Sequence, residues 1–149
     1  MPNNAWMGTH ADTDTLASLV MPGSHDACMY ECRSGAAASA ITQFGTISEQ
    51  LNAGARFFDV RLYYKNSCLR AGHFVSKSSA TFGSYGPAFD TVATDIKNFL
   101  DANPSELVLL KISLSKDAAS TSKGDGANKI QTLFEDKLYE SAATKNLAS

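Results

Sequence analysis

His25 and Asp26 close the stretch Pro22-Gly23-Ser24-His25-Asp26, directly after the apolar run from Leu16 to Met21. Asp59 and Arg61 stand two apart in Ala-Arg-Phe-Phe-Asp-Val-Arg-Leu-Tyr-Tyr, residues 55–64. His73 follows in Ala71-Gly72-His73-Phe74, and Lys111 and Ser113 alternate inside Leu-Val-Leu-Leu-Lys-Ile-Ser-Leu, residues 107–114. Two imidazoles, a guanidinium and two carboxylates suit cleavage of a phosphodiester. One imidazole takes the proton of an attacking hydroxyl, and the other returns a proton to the leaving oxygen. The fixed fork of an arginine holds two phosphate oxygens and offsets their charge. Carboxylates orient the rings and raise their basicity. Such chemistry needs these groups to converge in space, and adjacency in sequence is unnecessary.

Convergence depends on the elements that carry them. Leu16 to Met21 reads as a buried strand ended by a turn at Pro22-Gly23. Cys28 to Gly45 reads as loop, with a helical turn around Ala36 to Ala40. Thr46 as N-cap with Glu49 three residues on is the capping-box signature of a short helix, with Ile47 and Leu51 apolar and Gly54 at C′. Residues 55–64 are β-branched and aromatic, the strongest strand pattern present. Alternation puts Phe57, Asp59 and Arg61 on one face and Phe58, Val60 and Leu62 on the other.

Cys68 to Val75 reads as a further strand, and Ser76 to Pro87 as a Ser/Gly-rich loop carrying Phe82 and Tyr85. Phe89, Val92, Ile96, Phe99 and Leu100 have the spacing of an amphipathic helix, stopped at Asn103-Pro104. Leu107 to Leu114 is nearly continuous apolar sequence, the pattern of a strand covered on both faces. A polar loop over Lys116 to Gly126 and a last helix marked by Ile130, Leu133, Phe134 and Leu138 complete the order. Strands alternating with helices predict an α/β parallel sheet. Ligands meet such sheets at the C-terminal strand ends, so the polar residues at four successive ends predict one site.

Each residue also has a plainer reading. His10, in the polar arm of residues 1–15, reads as a surface or structural histidine. Asp59 and Arg61 would also serve as a buried pair locking the sheet, although such pairs add little stability. Lys111 would extend its ammonium past the strand end, and Phe82 and Tyr85 would pack within their loop.

The chain has 149 residues, 44% hydrophobic and 19% charged, with a formal net charge of -2. This excludes a disordered chain and disfavours a bulk electrostatic grip on nucleic acid. No apolar run reaches the roughly 18 residues of a membrane span. Met1 to Ala17 carries no Lys or Arg, so no signal-peptide pattern is visible there, and localisation stays open. Cys28, Cys32 and Cys68 read as unpaired thiols, with Cys28 and Cys32 close enough in sequence to meet if their segment is helical, and Cys-x-x-x-Cys alone supplies only two of the four ligands of a zinc site.

Taken together, Leu19-Val20-Met21-Pro22-Gly23-Ser24-His25-Asp26, the block Gln50-Leu51-Asn52-Ala53-Gly54-Ala55-Arg56-Phe57-Phe58-Asp59-Val60-Arg61 and Ala71-Gly72-His73-Phe74 resemble the phosphatidylinositol-specific phospholipase C X-domain family. The helix, Asn-Pro-Ser-Glu and apolar strand of Phe89 to Leu114 follow in the family's order, so the resemblance spans residues 16–115. It implies that His25 is the general base activating the inositol 2-hydroxyl. His73 would be the general acid protonating the diacylglycerol oxygen, assisted by Asp26, and the product a cyclic inositol phosphate. Asp26 and Arg61 match the metal-independent bacterial pattern, which implies no calcium and no other cofactor. Lys111, Ser113 and Tyr85 are expected to help bind substrate, with Ser113 standing where the family places a charged residue. Secretion is suggested only by this resemblance.

The implied fold is a TIM-type (β/α)8 barrel, which takes about 250 residues. The 149 residues here are expected to form a single, incomplete domain, the N-terminal half of the barrel with about four β/α units. A fragment, a second chain or self-association completing the barrel, and a compact relic are the three accounts, the first favoured. Rival functions are a catalytically inactive phosphate- or inositide-binding module, a half-barrel acting as an assembly part, and a glycerophosphodiester phosphodiesterase-like enzyme. The last requires acidic metal ligands, which Arg61 disfavours. Transient membrane contact would fall to the Phe82 to Tyr85 loop, and the net charge gives no general attraction to anionic bilayers.

Overall fold

The structure, a computed structural model, describes residues 5–11, 13–32, 37–65, 68–77 and 80–115. The expected loop over 116–126 and helix over 130–138 lie outside the described residues. Among the described residues there are two helices, α1 (Ile47–Asn52) and α2 (Phe89–Ala102), and five strands: β1 (Gly23–Ser24), β2 (Phe57–Lys65), β3 (Cys68–Lys77), β4 (Ala80–Ala88) and β5 (Leu109–Ser115). Short 3₁₀ turns occupy Met7–Thr9, Leu16–Ser18 and Ala37–Ala40.

The N-terminus of α1 forms as its residues dictate. Thr46 Oγ1 accepts from Glu49 N at 3.3 Å, and Glu49 Oε2 accepts from Thr46 N at 2.7 Å. At the other end Gly54, at φ 107°, lets its own N–H reach Leu51 O and that of Ala55 reach Gln50 O, both at 3.0 Å. That pair of bonds is a Schellman stop.

β2 is the centre of the sheet. Along one edge β5 runs parallel, from Phe57 opposite Leu109 to Tyr63 opposite Ser115. The other edge is shared end to end. β1 pairs parallel at Phe57 and Phe58, and β3 pairs antiparallel from Leu62 to Lys65. β4 then pairs antiparallel with β3. Phe58, Val60 and Leu62 are fully buried against Ile47 and Leu51 of α1 and Phe89, Val92 and Ile96 of α2. Each such side chain contributes about 1.5–3 kcal/mol of burial.

Three expectations need correction. The sheet is mixed rather than parallel: only residues 66 and 67 separate β2 from β3, and a parallel return needs a crossover of a dozen residues or more. Of the loop expected over Ser76 to Pro87, Ser76 and Lys77 belong to β3 and Ala80 to Pro87 to β4. Its glycines serve close approach. Gly83 has φ 149°, and a Cβ there would lie 2.1 Å from His73 O. Leu16 to Met21 is not a buried strand: Leu16 starts a 3₁₀ turn, and Val20 is 94% exposed. Pairing begins later, where Pro22 O accepts from Arg56 N at 3.0 Å. Pro22-Gly23 therefore leads into the sheet instead of ending a strand. Among the described residues the sheet is open, and no closed barrel is present in them.

At the N-terminal end of β2 and β5 the interior is locked by ions. Arg56 is fully buried and donates to Glu106 Oε2 through Nε at 2.8 Å and Nη2 at 2.7 Å, and through Nη1 to Leu51 O at 2.9 Å and Ala55 O at 2.8 Å. Its guanidinium also lies 4.6 Å from the Phe99 ring centre. The polar arm is fastened here as well, with Met7 N donating to Glu106 Oε1 at 3.1 Å and Trp6 Nε1 to Gly54 O at 2.9 Å.

Candidate active site

At the opposite end of the sheet, the segment after β1 runs on beside β2, fixed by Ala27 N donating to Asp59 O at 3.0 Å. Asp26 takes left-handed backbone at φ 47°, a conformation Asp tolerates better than most residues. The turn is held from outside. Thr42 Oγ1 donates to Asp26 O at 3.1 Å, Gln43 Nε2 to His25 O at 2.7 Å, and Gln50 Nε2 to Ala27 O at 2.9 Å. His25 is thereby left exposed while the Asp26 carboxylate beside it is fully buried.

Two carboxylates organise everything else. Asp26 Oδ2 lies 2.7 Å from His73 Nδ1 and 3.5 Å from His25 Nε2, and Asp26 Oδ1 lies 2.8 Å from Arg61 Nε. Asp59 Oδ2 lies 2.8 Å from His25 Nδ1, and Asp59 Oδ1 lies 3.4 Å from Lys111 Nζ. Arg61 Nη2 stands 3.2 Å from His25 Nε2. The network assigns His25 a proton on Nδ1, donated to Asp59, and a lone pair on Nε2 facing the guanidinium. His73 uses Nδ1 on Asp26, so its Nε2 is the nitrogen with a proton to offer. With His73 protonated on both nitrogens, as the acid role requires, three cations face two carboxylates, so an approaching phosphodiester meets no net repulsion.

The strands explain the convergence. Asp59 and Arg61 share one face of β2, and the β5 register sets Lys111 opposite Asp59 and Ser113 opposite Arg61. His73 comes from β3, on the antiparallel hairpin. His25, Asp26, Asp59, Arg61, His73 and Lys111 are thus brought together. Ser113 is half-buried beside them. Tyr85 lies elsewhere, packed edge to face on Phe74 and Tyr63 with ring centres 4.8 Å and 6.0 Å away. His10 sits on the surface, 3.3 Å from Asp14 Oδ2.

Some parts of the site carry no sequence signal. Ser39 and Ala40 join His73, Val75, Phe82 and Gly83 around a cleft of about 370 Å³. Small residues in a loop give no chemical hint of such a wall. Beneath the turn the Cys28 thiol is pushed up to about 12, first by burial and then by the Asp26 charge. All three cysteines are free. His25, Asp26 and Asp59 present donor atoms within 4.8 Å of one another, a spacing that would also suit a metal ion. The Arg61 guanidinium already places a fixed positive charge against both carboxylates, at 2.8 Å and 3.9 Å.

The 1-phosphatidylinositol phosphodiesterase of Listeria monocytogenes is 28% identical over 110 residues, 72% of this chain and 32% of that protein. The chain is similar to the bacterial phosphatidylinositol-specific phospholipases C. Its structure superposes on the Listeria monocytogenes phosphatidylinositol-specific phospholipase C with a TM-score of 0.66 and 26% identity, covering 91% of this chain and 46% of that one. The Staphylococcus aureus enzyme gives a TM-score of 0.70 at 22% identity, covering 98% of this chain and 45% of that one. The chain therefore spans a third to just under half of the length of these bacterial relatives. No protein-family model matches it.

Proposed function

We propose that this chain carries the acid–base half of a phosphodiesterase that cleaves phosphatidylinositol or a related glycosyl phosphodiester. The observation that supports this most is the placing of both histidines on one buried carboxylate, His73 at 2.7 Å and His25 at 3.5 Å, with Arg61 alongside at 2.8 Å. His25 Nε2 takes the proton of the inositol 2-hydroxyl as its oxygen attacks phosphorus. The Arg61 fork and the Lys111 ammonium hold the non-bridging phosphate oxygens as the charge on them grows. The bond to the glycerol oxygen breaks, His73 Nε2 donates its proton to that oxygen, and a cyclic inositol phosphate remains. Asp59 holds the imidazolium that forms on His25, and Asp26 performs the same service for His73.

Under this reading no divalent cation takes part, because Arg61 supplies the positive charge. Contact with a membrane surface falls to the exposed Phe82 at the hairpin rather than to Tyr85. His25→Ala and His73→Ala are each expected to lower phosphodiester cleavage by about 10²–10⁴-fold with an unchanged thermal midpoint. Turnover retained in both variants would overturn the assignment.

A further inference from the structure

The turn that carries His25 and Asp26 depends on a segment to which the chemistry above gives no task. Left-handed backbone at a residue with a side chain persists only where its surroundings impose it, and Asp26 stands at φ 47°. That angle is set by the two peptide planes flanking Asp26, and both are pinned from the loop over 41–45. His25 O, in the first plane, accepts from Gln43 Nε2 at 2.7 Å. Asp26 O, in the second, accepts from Thr42 Oγ1 at 3.1 Å and from Met29 N at 3.0 Å. The loop is anchored on the same turn, since Thr42 N and Gln43 N both donate to Met29 O, at 2.9 Å and 3.2 Å. Turn and loop thus form one clasp, and the first plane is held in it by a single side-chain amide.

We propose that Gln43 is a positioning residue for both histidines, locking the peptide between His25 and Asp26 in the orientation that builds the site. Rotation of that peptide would carry His25 O away from Gln43 and take Asp26 out of left-handed backbone. The Asp26 carboxylate would then lose its aim on His73 Nδ1 and Arg61 Nε, which it meets at 2.7 Å and 2.8 Å. His25, its side chain 68% exposed, has little packing to keep its ring on Asp59 once its backbone turns. Thr42 shares the second plane with Met29 N and so carries the smaller part. The inference rests on the acid–base reading of the two histidines and adds residues which that reading leaves out. Water replaces a lost hydrogen bond at a loop surface but restores no geometry, so the loss falls on rate more than on stability.

The test uses Gln43→Met, which keeps the length of the side chain and removes its donor, with Thr42→Val and Thr42→Ser. On phosphatidylinositol in detergent micelles, Gln43→Met should lower kcat about 10–100-fold, with KM and the thermal midpoint nearly unchanged. Thr42→Val should lose less, and Thr42→Ser, which keeps the hydroxyl, should recover the rate of the unaltered chain. Proton NMR of the free chain reads the geometry without turnover. The unaltered chain should show a strong amide–α-proton NOE within Asp26, as left-handed backbone gives, and a downfield His25 Nδ1 proton shared with Asp59. Both signals should weaken in Gln43→Met and persist in Thr42→Ser. Full turnover or unchanged NMR signals in Gln43→Met would overturn the proposal, as would a loss of rate that only follows a fall in the thermal midpoint. Signals lost from Gln43→Met in a chain that cleaves nothing would instead uphold the positioning role and remove the catalytic reading.

Discussion

Arg56 and Arg61 lie on one stretch of chain and both face carboxylates, yet they occupy opposite conditions. Arg56 and Glu106 have fully buried side chains, with all three guanidinium nitrogens committed to Glu106 or to backbone carbonyls. Arg61 is 35% exposed and meets its carboxylates at 2.8 Å and 3.9 Å. The first cluster is closed and saturated, so it can only hold. The second is open on one side and includes two titratable rings, so it can take a ligand and move protons. Ion type is shared; burial and the number of uncommitted donors decide the role.

The comparison is broken most severely at the closed end. Glu106→Gln leaves the Arg56 charge buried without its counter-ion and is expected to cost about 3–5 kcal/mol. Denaturant unfolding measures it, and activity per folded molecule should be unaffected. Replacing both partners together, as Arg56→Met with Glu106→Leu, should recover most of that loss. At the open end the balance reverses. Arg61→Lys keeps a positive charge but loses the planar fork, so kcat/KM should fall about 10²-fold, with the unfolding midpoint nearly unchanged. A large stability loss there would show that Arg61 is a second lock.

Thr46→Ala removes the cap of α1 and is expected to cost about 1 kcal/mol in the same unfolding assay. Because Gln50 on α1 holds the turn after Asp26, this change probes how far the site depends on its support. The smallest effect at neutral pH concerns Cys28. Its folded thiol is raised to about 12, above the ordinary 9.0, so the folded state favours the protonated form. That preference is neutral below pH 9 and becomes a loss of stability as pH rises toward 12, because only the unfolded thiol ionises. Iodoacetamide at pH 8 should leave Cys28 unmodified in the native chain.

The open end was more legible than the closed one. Alternation along residues 55–64 put Asp59 and Arg61 on one face, and the structure keeps them there with Phe58, Val60 and Leu62 buried behind. The capping box at Thr46 and the apolar spacing of α2 also form as read. Arg56 lay within a motif block yet carried no assigned task, because its partner Glu106 is fifty residues away and no local period announces it. β4 was hidden by glycine and serine, whose usual meaning is loop. Here they admit the backbone of β3 at close range. The antiparallel course of β3 follows from the short connection after β2, and the alternation of strands with helices obscured it.

The most direct test is phosphorus NMR of phosphatidylinositol in mixed detergent micelles, incubated with this chain in excess EDTA. The account predicts the resonance of a cyclic inositol phosphodiester, absent from the His25→Ala and His73→Ala samples. Unchanged phosphatidylinositol alongside saturable binding of inositol phosphate would contradict it, as would turnover that EDTA abolishes and calcium restores.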